Sequence, residues 1–301
     1  MSLRDSILGL IIILVWGFNF VVIAWGLENF PPLLMGGLRF ALLAVVGSML
    51  VANPKIPWRL LCAFGLTIGF GQFALLFSAM SFGMPAGLAS LVLQAQMLFT
   101  LLFARVFLHE TITPYQILAI GIAACGLALI GGTDSVGTMT AIGFGLTLAG
   151  AACWAAGNIV NRRISLQGYN SSVGLVVWSA WFPLLPFFLM SYWVEGPELI
   201  VASLQSFNWV SAGVLIYLTL AASVLGYGLW GYLFSRYPAS TVAPLTLGVP
   251  VFGLASAGYF LDEHITLMQW YGVILVLVGL VFNMKGEALI RLFLRHTSAK
   301  V

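Results

Sequence analysis

Charge is what this sequence has least of. Only 7% of its 301 residues are Asp, Glu, Lys or Arg, against about a quarter in a soluble domain, and 61% are hydrophobic. That balance excludes a water-soluble fold. The net charge of +3 comes without a basic stripe able to track a phosphate backbone, so no nucleic acid is expected as a partner. Cysteine is scarce as well. Cys62, Cys125 and Cys153 fall in apolar stretches without CxxC spacing, and read as small core residues. Histidine occurs only as His109, His264 and His296, in connections and near the C-terminus. The chain lacks HExxH, GxSxG and any pair of acids within an apolar run. Its GYGLWG does not stand in the strand–turn–helix setting of a phosphate loop. An enzyme, a metal centre and a bound cofactor are therefore not expected.

Long apolar runs fill the space these absences leave. Crossing the hydrocarbon core takes about 20 apolar residues as a helix. That length predicts an all-α membrane protein with ten spans near 6–26, 31–51, 58–81, 86–107, 114–131, 140–161, 172–193, 208–233, 239–260 and 267–284. Arg4 before an apolar run imitates a signal peptide, but the run continues to about Trp25 without a small-x-small cleavage site. It reads as an uncleaved first span. Pro31, Pro32, Pro85, Pro114 and Pro238 sit at span starts, where a missing N–H costs nothing. The longest polar connection, Val194 to Asn208, is too short to hold an active-site domain.

Basic residues beside spans stay in the cytoplasm, which orients the chain. With the N-terminus inside, Arg4, Lys55, Arg59, Arg105, Arg162, Arg163, Arg236, Lys285, Arg291, Arg295 and Lys300 all fall on that side. Glu28, Asp134, Glu195, Glu198, Asp262 and Glu263 fall on the other. Both termini are expected in the cytoplasm of a multi-pass inner-membrane protein. Only Arg39, the twelfth basic residue, lies within a span.

The chain also repeats itself. PAGLASLVLQAQMLFTLLFARVFLHETITPYQ from Pro85 aligns without a gap on PASTVAPLTLGVPVFGLASAGYFLDEHITLMQ from Pro238, an offset of 153. Glu110 meets Glu263, Gln116 meets Gln269, and Gly126-Leu127 meets Gly279-Leu280. Trp16 and Asn19 are weakly echoed by Trp154 and Asn158. The repeat predicts two halves, 1–133 and 134–301, of five spans each. Because five is odd, the second half enters the membrane from the opposite side. Inverted halves around a central cavity are the architecture of alternating access. A transporter has use for two mirror-related gates, whereas a receptor or scaffold does not.

WGFNF in the first span, GLRF in the second, PAGLASLVLQAQ in the fourth, WAAGN in the sixth, GYGLWG in the eighth and both LxExIT turns resemble the drug/metabolite transporter superfamily. Within it they resemble the EamA branch of ten-helix bacterial exporters, over essentially the whole chain. The likeness is strongest to exporters of cysteine and O-acetylserine and extends to aromatic amino acid exporters. It implies the fold, and export of small amino acids or related metabolites across the inner membrane. The competing cargo classes are nucleotide sugars, lipids and cationic drugs. Anionic headgroups would call for several buried cations where only Arg39 stands, and a cationic drug for a buried Glu that is missing. A single copy of the chain is expected to suffice.

Polar side chains inside spans tend to face partners or a water-filled path. Arg39 reads either as a counter-charge for a substrate carboxylate or as a structural residue bonding backbone carbonyls. Trp16 and Asn19, and Trp154 and Asn158, each share a helix face, and the two Asn are expected to face each other across the axis. Their carboxamides suit a zwitterion, and suit interhelical packing equally. Gln94 and Gln96 are two apart, so an α-helix cannot aim both into one pore. Gln94 is the expected lining residue, beside Gln72. Tyr227, Trp230 and Trp178 are candidate aromatic walls. Gly65 and Gly69 predict close helix packing, and Pro183, Pro186, Pro244 and Pro250 predict kinks. No Asp, Glu or His lies within a span, which argues for facilitated or potential-driven efflux rather than a buried proton relay.

Overall fold

In hydrocarbon each backbone N–H and C=O needs a partner within the chain, so apolar runs of this length fold as helices. The computed structural model describes residues 1–132, 139–169, 173–237 and 239–298. Asp134, Pro238 and Lys300 lie outside them. The described residues form helices joined by turns, with no strand among them. In order these are α1 (Leu3–Leu27), α2 (Pro32–Leu50), α3 (Trp58–Ser81), α4 (Ala86–Phe107), α5 (Pro114–Gly131), α6 (Ala141–Leu166), α7 (Val173–Ser179), α8 (Leu184–Glu195), α9 (Pro197–Gln205), α10 (Trp209–Leu233), α11 (Ala239–Val242), α12 (Gly248–Phe260) and α13 (Leu267–Ser298). Eight helices among the described residues are long and apolar enough to cross a membrane, or nine if α7 and α8 count as one bent span. The protein is a multi-pass membrane protein.

Where the structure departs from ten straight spans, proline is the reason. The run expected over 172–193 breaks between α7 and α8, which meet at 44°. Pro183 supplies no N–H there, and Gly65 and Gly69 of α3 let the corner dock. A β-carbon on Gly65 would run into the carbonyl of Ser179, and one on Gly69 would lie 3.1 Å from Pro183 Cγ. The run over 239–260 is divided by a 3₁₀ segment, Ala243–Leu247, that contains Pro244. The connection after Val194 is not wholly irregular, because it holds α9.

Several features recur at the offset of 153. The turns after α4 and α12 are drawn alike: His109 and Asp262 both have positive φ, 55° and 51°. Glu110 N donates to Ala104 O and Glu263 N donates to Ala257 O. Gln116 Oε1 accepts from Thr113 N (2.9 Å), and Gln269 Oε1 accepts from Thr266 N (3.0 Å). Helices α5 and α13 pack together through reciprocal contacts. A β-carbon on Gly126 would lie 2.7 Å from Gly272 O, and one on Gly279 would lie 2.9 Å from Ala119 O. Both α3 and α10 carry a wide π-helical stretch, Gly65–Gln72 and Tyr217–Leu225.

Candidate functional site

The two ends of the bundle are closed to different degrees. At one end Glu195 accepts from Leu33 N (2.6 Å) and Leu34 N (3.0 Å), the first amides of α2 that follow Pro31 and Pro32. Glu263 does the same for α4, through Ala86 N (2.6 Å) and Gly87 N (2.9 Å). A carboxylate on the free amides of a helix start gains both hydrogen bonds and the helix dipole. Burial nonetheless pushes the Glu263 carboxyl above its ordinary range, and the two amides pull it back only in part. Beneath this end α1, α4 and α12 meet through small residues: Ser90 against Gly253, and Gly87 against Ala257. Phe18, Trp25 and Phe260 cluster edge-to-face over the seam.

The opposite end, where Glu110 lies 3.6 Å from Arg162, is open. A cavity of about 800 Å³ enters there past Leu108, Asn161 and Ser165 and reaches Trp16, Trp154, Asn158, Tyr227 and Trp230. Trp16, Gln96, Trp154, Tyr227 and Thr246 form a wall it shares with a deeper pocket of about 90 Å³. Trp16 is fixed by donating Nε1 to Ala222 O (3.0 Å), and it packs on Tyr227 and Trp230 at 5.2 and 5.4 Å between ring centroids.

Arg39 stands at the blind end of that path. It is 3% exposed. Its guanidinium carbon lies 3.9 Å over the Phe73 ring, and Nη2 donates to Ser223 Oγ (3.2 Å). The π-helical stretch of α10 presents Ser223, whose own hydroxyl donates five residues back, to Leu218 O (2.9 Å). Nε and Nη1 of Arg39 have no partner, and neither has Oδ1 of Asn19 in the same pocket. Among the described residues no Asp or Glu lines the pocket. A buried cation without a counter-ion is costly, and Arg39 keeps two donors, Nε and Nη1, unused.

Nine of the ten residues expected to line the path do so: Trp16, Asn19, Arg39, Gln72, Gln94, Trp154, Asn158, Tyr227 and Trp230. Trp178 lines neither cavity, and its Nε1 donates to Val51 O (3.0 Å) between α7 and the end of α2. Asn158 and Asn19 do not meet. Asn158 Nδ2 donates instead to Gln96 Oε1 (2.7 Å) and Thr100 Oγ1 (3.0 Å). Gln96 was excluded on α-helical geometry, yet it lines both cavities and shares the inner one with Gln94. The reason is the 3₁₀ turn Leu93–Ala95 in α4. At about three residues per turn it brings positions two apart closer in azimuth than an α-helix does. Phe73, Ser90 and Ser223 also escaped the sequence reading, since nothing local marks them. Among the described residues no three His, Cys, Asp or Glu come together to hold a metal.

Residues 4–132 and 141–285 match the EamA-like transporter family. A protein of Salmonella typhimurium described as a probable amino-acid metabolite efflux pump is 48% identical over 95% of this chain and 96% of its own length. Its Escherichia coli counterpart, of the same description, is 46% identical with the same coverage. An uncharacterized inner membrane transporter of Escherichia coli is 27% identical over 92% of this chain and 89% of its own. A solved crystal structure aligns with 94% of this chain and 96% of its own at a TM-score of 0.60 and 17% identity, a likeness of fold alone. The protein is a transporter rather than an enzyme, and it belongs to the EamA-like transporter family.

Proposed function

We propose that this chain exports small amino acids or closely related metabolites across the bacterial inner membrane by alternating access. In this reading ten helices form two inverted halves, 1–133 and 134–301, acting within a single copy of the chain. The family, the efflux function ascribed to the Salmonella typhimurium and Escherichia coli relatives and the features recurring at the offset of 153 support it. Both termini lie in the cytoplasm, as the basic residues argue. The wide cavity then faces the side from which an exporter loads.

One observation carries the cargo class: Arg39, buried without an acid, with Nε and Nη1 unpartnered beside the open Oδ1 of Asn19. A carboxylate takes the free edge of the guanidinium, and an ammonium takes Asn19 Oδ1 and the ring faces of Trp16 and Trp154. The inner pocket, at about 90 Å³, accepts little more than that polar head. The side chain rests in the wider cavity, against Trp230. The test is reconstitution into liposomes with a panel of labelled amino acids. Saturable flux that competes among them is the expected result, and its absence for every amino acid overturns the proposal.

A further inference from the structure

We propose that Glu110 and Glu263 are a pair of alternating latches, each closing its own end of the transporter by gripping two backbone amides of the other half. The inference rests on the inverted-halves reading above and adds the residues that hold each closed state.

In the structure Glu263 grips Ala86 N (2.6 Å) and Gly87 N (2.9 Å), and that end is shut. Shifted by the offset of 153, the same contact reads Glu110 on the amides of Ala239 and Ser240. Glu110 sits 3.6 Å from Arg162, its side chain 51% exposed on the wall of the open cavity.

The turns that carry the two carboxylates have the same backbone. The positive φ at His109 and Asp262 and the amide bonds back to Ala104 and Ala257 are common to both. The difference is therefore not in the turn but in what faces it. Flanking residues follow the same rule. Ala257 and Leu254 pack on Gly87 at the shut end, within 3.1 and 3.3 Å of where its β-carbon would be. Their counterparts Ala104 and Leu101 line the open cavity. One half displays the closed form of a contact and the other its open form. Exchanging the two gives the second state of the cycle, in which Glu263 releases α4 and Glu110 takes up Ala239 and Ser240.

The test follows the closed state directly and needs no cargo. In the exchanged state Ala104 and Ser240 come together as Ala257 and Gly87 do at the shut end, so A104C and S240C are introduced together in a full-length chain. Cys62, Cys125 and Cys153 are replaced beforehand, and oxidative cross-linking is measured in liposomes. The cross-link is expected to form. Adding E110Q, which removes an acceptor from a half-exposed side chain and is expected to fold, lowers the yield about tenfold. Adding E263Q raises it. A cross-link that forms equally with and without E110Q overturns the latch and leaves alternating access standing. Absence of the cross-link in every variant overturns the latch together with the inverted-halves reading. Failure of all amino acids to be transported would touch neither result.

Discussion

Phe73 lies face-on beneath Arg39, with the guanidinium carbon 3.9 Å from the ring centroid. A ring offers a cation about 2 kcal/mol when both are out of water, far less than an ion pair would return there. Phe73 holds the guanidinium in place without neutralising it, which in the function proposed above leaves the charge for a cargo carboxylate.

R39Q is expected to leave a folded protein and to raise the KM for transport about tenfold or more, the loss of charge-assisted bonds to one carboxylate. R39K keeps the charge but loses the planar fork, and should fall between the two. Liposome flux together with thermal melting in detergent separates the effects. A melting point that collapses in both variants would make Arg39 structural.

Asn158 holds Gln96 at the junction of the two cavities through the 2.7 Å bond to its carbonyl oxygen. N158A should free the Gln96 carboxamide and raise KM several-fold. The stability loss should be only about 0.5–1.5 kcal/mol, because water in the cavity replaces the bond. A titration of flux against substrate concentration gives the first figure, and melting gives the second.

The close approach of α5 and α13 makes a prediction in duplicate. G126L and G279L each push a side chain into the facing backbone, at Gly272 and Ala119 respectively. Overpacking of this kind costs about 1–3 kcal/mol. Because the contacts are reciprocal, the two variants should lose similar amounts on melting, and a loss confined to one would deny the symmetry.

Glu263 gives a pH dependence of definite sign. Its carboxyl is raised above the ordinary 4.5 by burial, so the folded chain binds the proton more tightly than the unfolded one. Its contribution to stability is complete below pH 4.5 and is lost as pH rises through the raised value. E263Q cannot titrate. The melting curve of the parent should therefore fall relative to that of E263Q as pH climbs from 4.5, and parallel curves would refute the assignment.

How much was legible in the sequence followed the range of the interaction. Hydropathy sets where helices cross, so most spans and their prolines could be read directly. The turn Leu108–Thr113 and its copy Leu261–Thr266 were visible because a local pattern of Glu, Ile and Thr makes a local shape. The partners of Arg39 were not, since Ser223 lies 184 residues away and carries no mark of its own. Gln96 was missed because the local backbone is 3₁₀ at Leu93–Ala95, and periodicity arguments assume a uniform helix. The Asn19–Asn158 meeting failed for a related reason: a nearer amide on α4 took Asn158 first.

The wide turns of α3 and α10 have one more consequence. A π-helical stretch spoils regular hydrogen bonding, yet these two stand at places matched by the offset of 153, so in the proposed cycle their penalty is the same whichever end is closed. It cancels from the balance between states. What would not cancel is the set of positions at which the halves differ, among them Arg162 beside Glu110 and Ser240 where the other half has Gly87. In the proposed cycle such unmatched positions set the resting preference of the carrier, and Arg162 does not line the pocket that holds Arg39. Single substitutions there can retune how fast the protein turns over while its choice of cargo stays as it was.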